Sequence, residues 1–152
     1  MAYTSESART QLLDQLAEAA DQLAIALASL GEAYEEVDEQ TGEQLEAQLF
    51  RPVQGAYGRA RRTHTEFAQR HRLPVRAFAP ASVVAHSGDP RVHVERAITA
   101  VEQADQIVAE MQDSMLPVEV GDRELRDGLT ETRETIAGVP GSGRQLLRTL
   151  GR

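Results

Sequence analysis

Carboxylates three residues apart on a helix share a face, and two such pairs on facing helices can hold Mg²⁺ through oxygen ligands for phosphate chemistry. Glu36 with Glu39, Glu102 with Asp105, and Glu110 with Asp113 have this spacing. Glu36, Glu39, Glu110 and Asp113 form the candidate metal set. In a chain with 24 acidic residues, a solvated acidic face is the competing reading of the same pairs.

An ExxE on one helix with an ExxD on another resembles the all-α nucleotide pyrophosphohydrolases of the MazG type. The resemblance implies an Mg²⁺-dependent hydrolase with those four carboxylates as ligands. It covers only the two short pairs, which here are separated by an entire helix and a long loop, with no Lys or Trp beside them.

The four histidines are His64, His71, His86 and His93. His64 and His71 are seven residues apart, about 10 Å along a helix, so one ion cannot reach both unaided. No HxxxH, HExxH or ExxH spacing occurs, which leaves out the usual helical zinc and di-iron patterns. His64 reads as a boundary residue beside Phe67, with a lone ligand role as the alternative. His93, just inside a helix and near Asp89, reads as a surface residue.

Arg59, Arg61 and Arg62, with Arg51, Arg70, Arg72 and Arg76, make a basic stripe that could meet nucleic-acid phosphates. No aromatic platform accompanies them in the sequence. If the first hairpin turns near residues 40 and 41, Arg59 and Arg62 stand level with Asp21 and Glu18, and the two helices neutralise each other. Gly141 to Arg144 could cradle an anion at a helix start, but without a Walker lysine it reads as a helix break. No GxSxG turn is present to expose a serine nucleophile.

Charge is unevenly placed along the chain. Residues 1–48 hold 11 acids against Arg9 alone, residues 49–76 hold seven arginines against Glu66, and the rest returns to a net acid excess, for −8 in total. Without cysteine, neither disulfides nor thiolate chemistry is available. Only 4% of residues are aromatic, so the core must be built from Leu, Val, Ile and Ala, which suits close helix packing. Residues 1–9 lack a signal-peptide pattern and no apolar run matches a bilayer span, so a cytoplasmic location without membrane contact is expected.

The elements that position these residues follow from apolar spacing. Leu12, Leu16, Ala19, Leu23, Leu30, Tyr34 and Val37 alternate steps of three and four, predicting a first helix from Thr4 or Ser5 to about Gln40, with Gly31 tolerated. Thr41 and Gln44 form a capping-box pattern that starts a second helix, kinked at Pro52 and closed near Leu73 before Pro74. Residues 75–88 form one long connection, with Phe78, Val83 and Val84 against the bundle. Asp89-Pro90 starts a third helix whose seam runs through Met111 and Met115 to Pro117. Asp122 caps a fourth, which Val139 to Gly143 break before a short final helix.

The expected architecture is all-α, a single domain over residues 1–152: an antiparallel up-and-down four-helix bundle with a long loop between the second and third helices and a short C-terminal helix. The first helix outruns the fourth, so the hairpin tip should stand beyond the bundle, with Tyr34, Val37, Leu45, Leu49 and Phe50 covered by a second copy. The leading functional expectation is a non-catalytic bundle that acts by self-association, as a homodimer, or by binding a protein partner, and needs no cofactor. The Mg²⁺-dependent hydrolase and nucleic-acid binding through the arginine stripe are the alternatives.

Overall fold

A computed structural model describes residues 2–82 and 88–151, with side chains from Ser5 onward, and these residues are all-helical without strands. The first helix, α1 (Ala2–Glu35), already runs at Ala2, so Thr4 and Ser5 lie inside it, and it passes Gly31 unbroken. It ends earlier than the apolar seam predicts because Asp38, not Thr41, caps the next helix: the Thr41 N–H donates to Asp38 Oδ1 at 2.8 Å. That helix, α2 (Glu39–Leu45), continues through a π turn (Glu46–Phe50) into α3 (Arg51–Arg70). Pro52 has no N–H to offer the ladder, and the π turn just before it, closed by the Arg51 N–H on the Glu46 carbonyl, absorbs the defect.

At the end of α3, Arg72 takes a left-handed conformation (φ 55°), with its N–H on Gln69 O and the Leu73 N–H on Ala68 O. These two bonds satisfy the last carbonyls in a Schellman pattern. The chain then crosses toward Asp89; Val83, Val84 and His86 lie outside the described residues. Asp89 accepts from the Arg91 N–H and opens α4 (Pro90–Asp113). Met115 does not extend the seam: it is 53% exposed at φ 65°, since the chain turns there into α5 (Leu116–Val120) with Pro117 in its first turn. Asp122 caps α6 (Arg123–Ile136). The stretch from Val139 to Gly143 is not a break but the first turn of α7 (Val139–Leu150), where Pro140 costs nothing; the interruption falls at Ala137 and Gly138.

The helices pack through small aliphatics, α1 on α4 and α3, α3 on α6, and α4 on α7. Two crossings are closed by glycine: a Cβ on Gly128 of α6 would clash with the Thr63 side chain of α3, and one on Gly143 of α7 would come within 2.7 Å of Ile98 of α4. Leu45 and Leu49, expected to await a second copy, are 0% and 1% exposed; α1 packs on α2 and on the π turn, and α7 folds back onto the π turn. The cover comes from the same chain.

Direction follows from which residues meet. Arg76 bonds Asp21, part-way along α1, while His93 stands 3.6 Å from Glu36 at its end. The first turn of α4 thus stands at the Glu36 end of α1. No described helix is long and apolar enough to cross a membrane.

The buried Asp122 ties α6 to α3. Its carboxylate takes Arg70 at 2.6 and 3.0 Å, His71 Nε2 at 2.7 Å and the Leu125 N–H at 2.8 Å. Burial pushes this carboxyl up, but the hydrogen bonds from Arg70, Leu125 and His71 outweigh it and hold the group below its ordinary 3.8. Asp122→Ala should lower stability by about 3 kcal/mol in urea unfolding, from the lost cap and the stranded Arg70. The Asp122 contribution is complete above about pH 4 and is lost as pH falls through the folded-state value, so Asp122→Asn should flatten the acid limb of the stability curve. Gly128→Ala should cost about 1–3 kcal/mol despite the better helix propensity of alanine, read as a lower thermal midpoint.

Candidate metal centre

The last turn of α1 and the first turn of α4 bring together Glu32, Glu36 and His93. One ligand atom from each lies within 4.8 Å of the others, the one such group of three found among the described residues. Glu32 and Glu36 are one helical turn apart and so share a face of α1; Glu36 sits just past its end, where its N–H still bonds Ala33 O. His93 is one turn into α4, and the Asp89 cap fixes the register that turns it inward. It is 0% exposed, and the Glu36 side chain is 21% exposed.

The Glu36 Oε1 to His93 Nε2 distance of 3.6 Å is too long for a hydrogen bond. It matches the separation of roughly 3.4 Å between two ligands each bound about 2.1 Å from a tetrahedral ion. Glu36 Oε2 is buried without a hydrogen-bond partner. Two carboxylates one turn apart repel, and withdrawing them from water strengthens the repulsion. A protonated His93 cancels one of the two negative charges; a divalent cation beside neutral His93 cancels both. The donor set, two carboxylates and an imidazole, fits Zn²⁺, Mn²⁺ or Fe²⁺ better than the all-oxygen preference of Mg²⁺.

Of the four carboxylates read from the sequence, only Glu36 is here. Glu39 is exposed at the start of α2, and Glu110 and Asp113 are exposed in the last turns of α4, where Glu110 accepts from Gln106. Glu110 lies 17 residues beyond His93 on the same helix, about 25 Å away, so it cannot converge with Glu36. Asp105 and Glu102 are engaged by Arg133 and Arg144. His93, read as a surface residue, is instead the most buried histidine of those described, because its face of α4 is the one pressed on α1. The Glu32-to-Glu36 spacing was visible in the sequence, but nothing in it paired that turn with His93.

The arginine stripe is divided: Arg59 and Arg70 turn to α6, while Arg61, Arg62 and Arg76 line one groove with Phe78. Arg59 bonds Glu131 of α6 at 2.6 Å, and Arg70 is held by Asp122, so neutralisation of α3 comes from α6 instead of Asp21 and Glu18 of α1. Arg61 stacks over Tyr57 and Arg76 over Phe78. Tyr34, Val37 and Phe50 of the expected interface keep partial exposure, and Leu45 and Leu49 have none. Compared with protein-family models, with curated proteins and with solved structures, the chain matches none.

His64 packs edge-on to Phe78, with ring centroids 5.2 Å apart, while the Phe67 ring meets His71. His64 is buried, and its Nδ1 has no hydrogen-bond partner. Burial pushes its pKa down, the Arg76 charge adds to this, and a hydrogen bond to the Leu13 backbone and the Asp14 charge oppose it. The unfolded chain takes up a proton near 6.5 that the folded chain resists, so stability is full above that pH and falls as pH drops below it. Urea midpoints measured between pH 7.5 and 5.5 should fall, and His64→Gln should reduce the dependence.

Proposed function

We propose that this protein is a metal-binding helical bundle that holds one divalent transition-metal ion between Glu32, Glu36 and His93. The carrying observation is the buried imidazole set against two carboxylates one turn apart, with a carboxylate oxygen, Glu36 Oε2, left without a donor. Three protein ligands leave coordination positions for water or a small ligand, the arrangement that distinguishes an open site from a closed structural one.

The reading of the scaffold that goes with this function is an up-down-down-up bundle of α1, α3, α4 and α6, of the type that needs a long crossover. Arg59 with Glu131 and Arg70 with Asp122 support reversed order between α3 and α6. Arg133 with Asp105 and Gln112 with Thr130 support it between α4 and α6. Metal sites in such bundles are built from inward side chains on facing helices, which is where Glu32, Glu36 and His93 stand.

Chelator-stripped protein titrated with Zn²⁺ or Mn²⁺ in a calorimeter should bind one equivalent and gain thermal stability, whereas millimolar Mg²⁺ should not substitute. Glu36→Gln should weaken binding at least tenfold while leaving helicity intact, and His93→Ala should abolish it. Glu110→Gln with Asp113→Asn should change nothing. Absence of saturable binding by the stripped protein, or binding that survives both Glu36→Gln and His93→Ala, would remove the metal reading.

A further inference from the structure

A groove of about 340 Å³ opens at the hairpin tip between α1 and the π turn, lined by Gly31, Tyr34, Glu35, Glu46 and Phe50. Tyr34 is 47% exposed, yet its ring is not loose: it rests on Gly42 of α2, where a Cβ would come within 3.2 Å of it. A Cβ at Gly31 would meet nothing within 4 Å, so that position leaves the groove open. Two of the chain's six aromatic residues thus face a cleft that also carries two carboxylates. Glu46 already holds one cation, the Arg51 guanidinium at 3.8 Å, in a pair whose arginine is 71% exposed. Pairs this exposed contribute little and exchange readily.

We infer that this groove binds a cationic side chain, an arginine or lysine carried on a basic segment of a partner protein. The cation is held over the Tyr34 and Phe50 rings and between the Glu35 and Glu46 carboxylates. Aromatic faces attract a cation through their quadrupole, and flanking carboxylates add charge-assisted hydrogen bonds. The immobilised Tyr34 ring loses little freedom on binding. Charge supports a basic partner over an acidic one: residues 1–48, which contribute Gly31, Tyr34, Glu35 and Glu46, carry 11 acids against a single arginine. That field draws in basic chains and repels acidic ones. The inference is independent of the metal centre, since it uses none of its three ligands.

The test is fluorescence anisotropy of a labelled peptide of alternating Arg and Ser, compared with the same peptide carrying Glu for Arg, at about 150 mM salt. Saturable binding of the Arg peptide alone is expected. Tyr34→Ala and the double variant Glu35→Gln, Glu46→Gln should each weaken it threefold to tenfold, while Glu119→Gln on α5, remote in sequence and exposed, should not. Circular dichroism of Tyr34→Ala shows whether the fold is kept, and the Glu35→Gln, Glu46→Gln variant reports on the groove if it is not. No binding, or binding indifferent to both variants, overturns the assignment. So does a mass that doubles with concentration and falls back in Tyr34→Ala, because a second copy would then be the occupant.

Discussion

The end of α1 and the start of α4 are forced into contact, and much of the molecule follows from that meeting. Small residues make the contact close: Ala26, Ala33, Ala97, Ala100 and Ala104 are all buried on these two helices. A close approach puts the Glu36 end of one helix beside the first turn of the other, and His93 has no route to water. A displacement of either helix by a turn, about 5 Å, would be as large as the 4.8 Å within which the three ligand atoms now lie. The metal-binding reading is therefore a statement about helix register as much as about three side chains.

Register is held by the close-packed crossings, where Gly128 meets Thr63 and Gly143 meets Ile98, and polar devices fix the helix ends. Asp38, Asp89 and Asp122 each cap a helix through a backbone N–H. Asp122 does more, because Arg70 and His71 converge on the same carboxylate from the end of α3. The unusual left-handed Arg72 just beyond them turns the chain into the long connection. Breaking that carboxylate would loosen two elements together, the start of α6 and the end of α3.

The opposite charges of neighbouring segments were plain in the sequence, but their partners were not. Arg59 and Arg70 are matched to Glu131 and Asp122 of α6, and Asp21 of α1 to Arg76 of the connection. Residues 1–48 keep their excess of acids, and toward the hairpin tip Glu32 and Glu36 meet His93 while Glu35 and Glu46 border the groove under Tyr34. Both proposals draw on this acid excess, one with a metal ion inside the seam and the other with a partner's cation outside it.

Apolar spacing by itself determined that the chain is helical and which faces are buried, since a helix repeats every 3.6 residues whatever it packs against. Aspartate before proline likewise announced the start of α4, a local effect of backbone donors. Capping between Asp38 and Thr41 was harder to place, because two side chains near the turn could each serve. Local rules also misplaced the ends at Met115 and Val139, where a left-handed turn and a proline in a first helical turn decided the outcome. What only the tertiary structure decided is direction and pairing. A connection of nineteen residues after α3, 71–89, constrains neither, so nothing in the chain fixed α4 to return to the Glu36 end. The candidate centre joins residues about sixty positions apart, and that separation is closed by packing, which sequence spacing does not encode.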